Sequence, residues 1–376
     1  MIVVEALRAE HGDCLWIEWD DGPRRRRMLI DGGPGRRDAL APGLADRFER
    51  QPVRERRFEL VVSTHIDDDH ITGLLPLMTA PPPGFTTKEV WFNADHHLGA
   101  DDTLGVRAAN ELAALLRRKR LSWNTRAGGD AIVVDEQKPL PTFPLQGGLT
   151  LTLLSPTRAG LRKLRKSWRR SDLVAQEPGD VLGAAEDARL DATSLPELAA
   201  RPYRRDRSEA NGSSIAFLAE HRDGSRVLFG ADAHAETLVL SLRRLWHGSG
   251  YPVALCKVPH HGSAHNVSPG LVRALDCRHW LFSTNGGRGH AKRWTSGRST
   301  HPSPEAVARI LAQGPQGARD TGGAGTTFWF NHRSPSTLRY GGDSLRSLGL
   351  RSEYPADGAE GITVVVENGE VTRGTP

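Results

Sequence analysis

The stretch Phe58-Glu59-Leu60-Val61-Val62-Ser63-Thr64-His65-Ile66-Asp67-Asp68-Asp69-His70 decides how the rest of the chain is read. Phe58 to Ser63 is a short apolar run rich in strand formers. It breaks off into three carboxylates and two imidazoles within six residues, His65 to His70. A helical pattern over Ile71 to Met78 follows. Held together without a cation, Asp67, Asp68 and Asp69 repel one another and raise each other's pKa. A divalent metal removes that repulsion and takes the same groups as ligands. A loop at the carboxyl end of a strand is also where α/β sheets place their sites. The alternative, a solvated acidic turn at a helix N-terminus, leaves two histidines without a purpose.

Working outward, strands are expected at Ile2 to Ala6, Cys14 to Trp19, Arg27 to Ile30 and Val90 to Phe92 before and after this segment. Later ones are expected at Ala131 to Val134, Leu149 to Leu154, Ser214 to Ala219, Val227 to Gly230, Val253 to Val258, His279 to Ser283 and Thr326 to Phe330. Asn110 to Lys119 and Pro304 to Gln313 read as helices, the first with a leucine face and a basic end, the second with proline near its first turn. Arg158 to Ser208 is densely charged and interrupts the strand-rich pattern, so it reads as an insertion, partly helical. From about Arg333 the chain is loop-rich and ends in a hairpin signalled by Asn368-Gly369.

The 376 residues and 41.1 kDa allow one large domain with insertions or two ordinary ones. With 38% hydrophobic and 25% charged residues, a sizeable core is available and wholesale disorder is excluded. No apolar run reaches the roughly 18 residues of a membrane helix, and Glu5 in the first stretch argues against a secretory signal. Three cysteines, none in a CxxC pair, exclude a disulfide scaffold. A cytoplasmic location is the expectation. Cys14 and Cys256 read as core residues.

The acidic segment, with its H-x-D-x-D-H order, resembles a variant of the H-x-H-x-D-H signature of the metallo-β-lactamase fold hydrolases. Further marks follow in the order that family shows. They are His11-Gly12-Asp13-Cys14-Leu15, Leu29-Ile30-Asp31-Gly32-Gly33, Phe229-Gly230-Ala231-Asp232-Ala233, Lys257-Val258-Pro259-His260-His261-Gly262-Ser263, Ser283-Thr284-Asn285 and Thr300-His301-Pro302. Asn211-Gly212-Ser213-Ser214 and the HHGS element are similar to the soluble hydrolase domain of bacterial competence DNA-uptake proteins and its free-standing relatives. The resemblance spans roughly residues 1 to 312, apart from the 158–208 insertion. It implies a four-layer αββα sandwich over residues 1–330 and a C-terminal extension over 331–376.

The resemblance also implies roles. His65 and Asp67 would face a first metal. Asp69 and His70 would face a second, completed by His260 or its neighbour His261, and Asp232 would bridge the two. One or two divalent ions, Zn or Mn, would then activate water for attack on a carbonyl or phosphoryl centre. Asp69 would orient that water or take its proton, and His301 at the mouth would stabilise an oxyanion or protonate the leaving group. Asn211, Ser263 and Arg293 are the expected substrate contacts. Two departures stand out. Asp67 replaces the second histidine, a harder ligand that suits Mn²⁺ or Mg²⁺. The family's separate histidine has no obvious counterpart; His96 and His97 are candidates by position, or else a surface or packing pair. Asp31 reads equally as support for the site or as turn chemistry, and His11 is similar. His234, near Asp232, is a minor candidate, and His221 reads as an ordinary polar position.

Net charge is +5 and pI about 9.3. Arginine-rich runs lie at Arg24 to Arg27, Arg54 to Arg57, Arg117 to Arg120, Arg162 to Arg170 and Arg201 to Arg207, with Trp168, Tyr203 and Trp294 inside or beside such runs. Arginine forks bind phosphate and aromatic faces stack on bases, so the preferred substrate is a phosphodiester, with nucleic acid as the partner class. A high-GC composition with a solvated basic surface explains the same charge without a partner. The rival functions are a hydrolase of a lactone, thioester or small phosphodiester, and a degenerate, non-catalytic subunit.

Overall fold

The computed structural model describes residues 1–35, 39–98, 107–168, 190–191, 193–286, 301–314 and 325–375. Its strands form two large sheets. The first runs Glu370–Arg373, Gly361–Glu367, Ile2–Leu7, Leu15–Asp21, Arg24–Ile30, Leu60–Val62, Val90–Trp91 in spatial order. The second runs Arg351–Glu353, Thr327–Phe330, His279–Phe282, Leu255–Lys257, Arg226–Phe229, Ala216–His221, Leu149–Ser155, Thr142–Leu145.

Side-chain alternation explains why the sheets stack. Val4, Ile17, Met28, Val62 and Trp91 from the first sheet share one buried layer with Leu151, Phe217, Val227, Leu255 and Leu281 from the second. The alternate residues Trp16, Leu29 and Val61 point the other way, onto the helices Pro42–Arg50, Leu74–Thr79 and Arg107–Lys119 through Phe48, Leu77 and Leu112. On the far face, Leu218, Leu228, Cys256 and Trp280 pack on Ala235–Leu245, Pro269–Ala274 and Pro304–Gln313 through Leu238, Leu271 and Ile310. Central strands buried on both faces read as near-continuous apolar runs. The result is the metallo-β-lactamase-like αββα sandwich that the sequence led us to expect.

The strand directions place the site. Arg24–Ile30, Leu60–Val62 and Val90–Trp91 are mutually parallel. So are Arg226–Phe229, Leu255–Lys257, His279–Phe282 and Thr327–Phe330. Asp31, the His65 segment, Asp232, the 260–261 pair and Ser283 all lie just past the carboxyl ends of these strands.

Several local expectations differ from what forms. The segment 131–134 is not a strand, because the Asn93 side chain takes both backbone groups of Ile132, at 2.8 Å each. The helix expected over 71–78 is two pieces, Asp68–Ile71 and Leu74–Thr79. Gly73 lies between them against Gly32, whose carbonyl oxygen would stand 2.0 Å from any Cβ at position 73. Strands Thr142–Leu145 and Arg351–Glu353 were not anticipated. The charged insertion begins in the helix Arg158–Trp168 and includes Leu195–Ala200. Leu161 and Leu164 join one helical layer and Leu195 and Leu198 the other. The tail completes both sheets, and its hairpin turns at Asn368 and Gly369, both with positive φ. Cys14 and Cys256 are buried, as expected. Among the described residues no helix is long and apolar enough to cross a membrane.

Candidate metal centre

The acidic loop is held by close backbone approach. A Cβ at Gly12 would stand 1.8 Å from the Asp69 carbonyl oxygen, so only glycine lets the first loop meet the turn that carries Asp69. Behind the loop, fully buried Asp31 accepts the Thr64 amide at 2.8 Å and the Thr64 hydroxyl at 2.7 Å. Asp31, Ala231, His260 and His261 all have φ between 45° and 58°. Left-handed backbone at such residues costs about 1–2 kcal/mol each and clusters at functional sites. At 260 and 261, two successive left-handed residues bring two adjacent imidazoles to the same centre.

Four imidazoles are arranged alike. Each has its Nδ1 tied to a neighbour and its Nε2 turned toward one carboxylate oxygen. The Nδ1 partners are Thr64 Oγ1 for His65 (3.0 Å), Asp31 Oδ2 for His70 (2.9 Å), Asn266 Oδ1 for His260 (2.9 Å) and the Ser283 carbonyl for His261 (2.8 Å). The four Nε2 atoms lie 3.9, 3.3, 3.8 and 3.7 Å from Asp232 Oδ2 in the same order. Asp69 Oδ2 is 3.3 Å from His261 Nε2 and 3.6 Å from His70 Nε2, and Asp67 Oδ2 is 3.4 Å from His65 Nε2.

A divalent cation fits this donor set. The Nε2 atoms of His65, His70 and His261 and Asp232 Oδ1 are buried without a hydrogen-bond partner, which in a folded protein calls for an explanation. Two ligands about 2.0–2.1 Å from one tetrahedral ion stand about 3.4 Å apart, the spacing seen here. Among the described residues three groups have all their donor atoms within 4.8 Å of one another: His65, His70 and Asp232; Asp69, His70 and His261; and, behind His70, Asp13, Asp31 and His70 itself. Tying Nδ1 to an oxygen acceptor leaves the lone pair on Nε2, the arrangement of metal-ligating histidines.

The electrostatics agree. Burial alone would push the Asp232 carboxyl up, but the imidazoles of His70, His261 and His260 hold it well below the carboxylate range. Asp69 is lowered in the same way, by His70 and His261 against its burial. Burial would push the His261 imidazole down, yet Asp232, Asp13 and Asp69 hold it up at about 9. The pocket is therefore negative enough to demand positive charge, as protons or as a cation.

The predicted residues divide clearly. His65, Asp67, Asp69, His70, Asp232, His260 and His261 converge. His260 and His261 both face Asp232 Oδ2, at 3.8 and 3.7 Å; His261 also lies 3.3 Å from Asp69 Oδ2, and His260 approaches from the side of Asn266. Asp68, the third acid of the run, is exposed. His301 is buried, with its ring 5.3 Å from that of His260 and 6.4 Å from that of His261. Asn211 is buried behind His260 and donates to Asp206 at 2.7 Å. Ser263 is buried in the turn after the histidine pair, its hydroxyl accepting from the His265 amide. Arg293 and Trp294 lie outside the described residues. His96 and His97 pack with Trp123, Arg117 and Asn124, so the packing reading describes them. His234 bonds the Ser208 carbonyl, and His221 lies between Asp20 and Asp223.

Four supporting residues were missed. Asp13 pairs with the fully buried Lys257 and lies 3.4 Å from His261 Nδ1. Asp206 and Asn266 stand behind His260. Asp13 and Lys257 lie in stretches already singled out but with no role read for them, whereas Asp206 and Asn266 are single polar residues in unremarkable local patterns.

No protein-family model matches the sequence, and neither does any curated protein. Among solved structures, the chain is similar to an isothiocyanate hydrolase from Delia radicum gut bacteria at 12% identity, covering 98% of this chain and 100% of that one, with a TM-score of 0.41. It is also similar to the short form of human tRNase Z at 9% identity, covering 94% and 96%, with a TM-score of 0.40. A diphosphatase of the PhnP family matches at 11% identity over 98% of each chain, with a TM-score of 0.38.

Proposed function

We propose that the chain is a metal-dependent hydrolase whose substrate is a phosphodiester, with nucleic acid as the favoured class. One observation carries the reading: four oriented imidazoles aim Nε2 at a single buried carboxylate oxygen, Asp232 Oδ2, beside Asp69 and Asp67. His65, Asp67, Asp69, His70, Asp232, His260 and His261 would hold the ions, Zn or Mn. The chemistry such ions supply when bound is polarisation of a phosphoryl oxygen and a lowered pKa for water.

The protein's own groups supply the rest. The side chains of Asp69 and Asp67 are 20% and 25% exposed, whereas those of His65, His70 and Asp232 are nearly closed off, so substrate approaches from the Asp67–Asp69 side. Asp69, a carboxylate that stays charged, orients the attacking water there. His301 protonates the leaving oxygen, held beside the histidine pair because the Ser303 amide bonds the Gly262 carbonyl and Tyr340 bonds the Pro302 carbonyl. Arg204, Arg205 and Arg207 are exposed around buried Asp206, next to the support of His260. They give a polyanion a basic surface at the site.

The test is a substrate panel with Mn²⁺ or Zn²⁺: bis(p-nitrophenyl) phosphate, single- and double-stranded DNA and RNA, a lactone and a thioester. Phosphodiester cleavage is expected, abolished by Asp69→Ala or Asp232→Ala. Hydrolysis of the lactone or thioester alone would overturn the phosphodiester reading. Inactivity on every substrate with metal bound would overturn the enzyme.

A further inference from the structure

The buried carboxylate Asp206 lies near the end of the charged segment, outside any helix or strand, on the Nδ1 side of the His260 ring. Its Oδ2 accepts the side-chain amides of Asn266 at 2.9 Å and Asn211 at 2.7 Å, and its Oδ1 accepts the Ser208 backbone amide at 2.8 Å. The Asn266 amide group also faces the carbonyls of Asp232 and Ala233 at 3.2 and 3.3 Å. An amide nitrogen engaged by three acceptors can only donate, so Asn266 Oδ1 is left to accept. Its nearest polar neighbour there is His260 Nδ1, 2.9 Å away, whose proton it accepts; Asn211 Nδ2, which donates to Asp206 Oδ2 at 2.7 Å, lies farther from the same Nδ1, at 3.3 Å. That places the lone pair of His260 on Nε2, the atom 3.8 Å from Asp232 Oδ2.

The irregular run 201–208 is laced to the loop that carries Asn266. Tyr203 Oη donates to the His265 carbonyl at 2.8 Å, the Asp206 amide donates to the same carbonyl at 3.1 Å, and His265 Nδ1 lies 2.6 Å from the Arg204 carbonyl. Buried Arg309 donates to the carbonyls of Ala264 and Val267 on the same loop and to that of Arg201.

We infer that Asp206 is a positioning residue for the metal centre, fixing the tautomer and orientation of His260 through Asn266 and drawing the Asn211 amide away from His260 Nδ1. The inference rests on the metal-centre reading above and deepens it: the end of the charged segment is part of the site's support, not a surface appendage. A charged acceptor is the strongest available partner for two amides that must both donate. Outer partners of this kind typically change metal affinity by 10–100-fold when removed.

The experiment is titration of the chelator-stripped full-length protein with Co²⁺, read by equilibrium dialysis and by the visible absorption of the bound ion. Wild type, Asp206→Asn, Asp206→Ala and Asp232→Ala are compared, with thermal melting of each stripped protein as the check on folding. Asp206→Ala is expected to weaken Co²⁺ binding about 10–100-fold and to alter the absorption band. Asp206→Asn, which keeps the shape and one acceptor oxygen, is expected to fall between it and wild type. Unchanged affinity and spectrum in a folded Asp206→Asn or Asp206→Ala protein would overturn the inference while leaving the centre standing. Failure of wild type to bind Co²⁺ any better than Asp232→Ala would overturn the centre itself and the inference with it.

Discussion

Asp31 Oδ2 stands 2.9 Å from His70 Nδ1 and also accepts the Thr64 hydroxyl, whose oxygen lies 3.0 Å from His65 Nδ1. One buried carboxylate thus orients both imidazoles of the H-x-D-x-D-H segment, His70 directly and His65 through Thr64. Asp31 has φ +58°, a conformation that Asn tolerates and Ala does not. Asp31→Asn should therefore keep the backbone and weaken divalent metal binding by about tenfold, while Asp31→Ala should approach 100-fold and also lower the melting temperature. Metal content after dialysis against a buffered ion series measures both. Equal loss in the two variants would place the effect in folding and not in orientation.

A second prediction concerns the ions themselves. A ligand that binds only the native state stabilises it by RT ln(1 + [L]/Kd), about 2.7 kcal/mol at 100-fold excess over Kd. Mn²⁺ or Zn²⁺ should therefore raise the melting temperature of chelator-treated protein, and Asp232→Ala should abolish the rise. A melting curve indifferent to both ions would refute the metal centre.

How much of this was legible beforehand follows from where the information lies. The H-x-D-x-D-H segment is dense in charged residues where an apolar strand ends and could be read directly, whereas the Gly-x-Asp at 230–232 and the histidine pair were legible only through the family resemblance. The sandwich was legible only as what the resemblance implies; the structure realises it by alternation, with Val4, Ile17 and Val62 facing one way and Trp16, Leu29 and Val61 the other. Asp206 and Asn266 were not legible: they lie 60 residues apart and acquire meaning only when Oδ2 of one meets Nδ2 of the other. The false strand at 131–134 failed for a related reason, since its apolar residues are real but a distant side chain, Asn93, satisfies its backbone. Asn211 shows the same limit, because its place behind His260 depends on Asp206 and not on its own motif.

Gly12→Ala should disable the acidic loop from outside it. The added methyl meets the Asp69 carbonyl oxygen, which is backbone and cannot rotate away. Overpacking of this kind costs about 1–3 kcal/mol, and relief requires the Asp69 turn to move. We expect a lowered urea midpoint together with loss of metal binding. A variant of wild-type stability that binds metal normally would show that the two loops are not pressed together.

Acid stability should carry the mark of His332. Burial pushes its imidazole down to about 4, Arg8 adds to the shift, and its Nε2 has no hydrogen-bond partner. A folded-state pKa below the ordinary 6.5 means that the unfolded chain binds the proton first. The contribution of neutral His332 is therefore intact above pH 6.5 and is lost as pH falls from 6.5 through 4, by at most about 3 kcal/mol. His332→Gln should flatten the urea midpoint over that interval relative to wild type. Parallel pH profiles would mean that His332 is protonated freely in the fold.

Lys257 offers the sharpest test of how the histidine pair is supported. It is fully buried in the central strand Leu255–Lys257 and pairs with buried Asp13, and it also donates to the Ala231 carbonyl at 3.3 Å. Burial would raise the Asp13 carboxyl, but Lys257 and His261 hold it down at about 2, so it is charged beside His261 Nδ1. Removing one partner of a buried pair leaves the other charge uncompensated and costs about 3–5 kcal/mol, whereas replacing both by neutral groups of similar shape is often close to neutral. Lys257→Met should therefore unfold at much lower urea than wild type, and Asp13→Asn with Lys257→Met should recover most of that loss. The double variant should nonetheless bind metal more weakly than wild type, because a neutral side-chain amide in place of the Asp13 carboxylate no longer draws the His261 Nδ1 proton as strongly. Recovery of stability and full metal affinity together would show that Asp13 and Lys257 serve only the core.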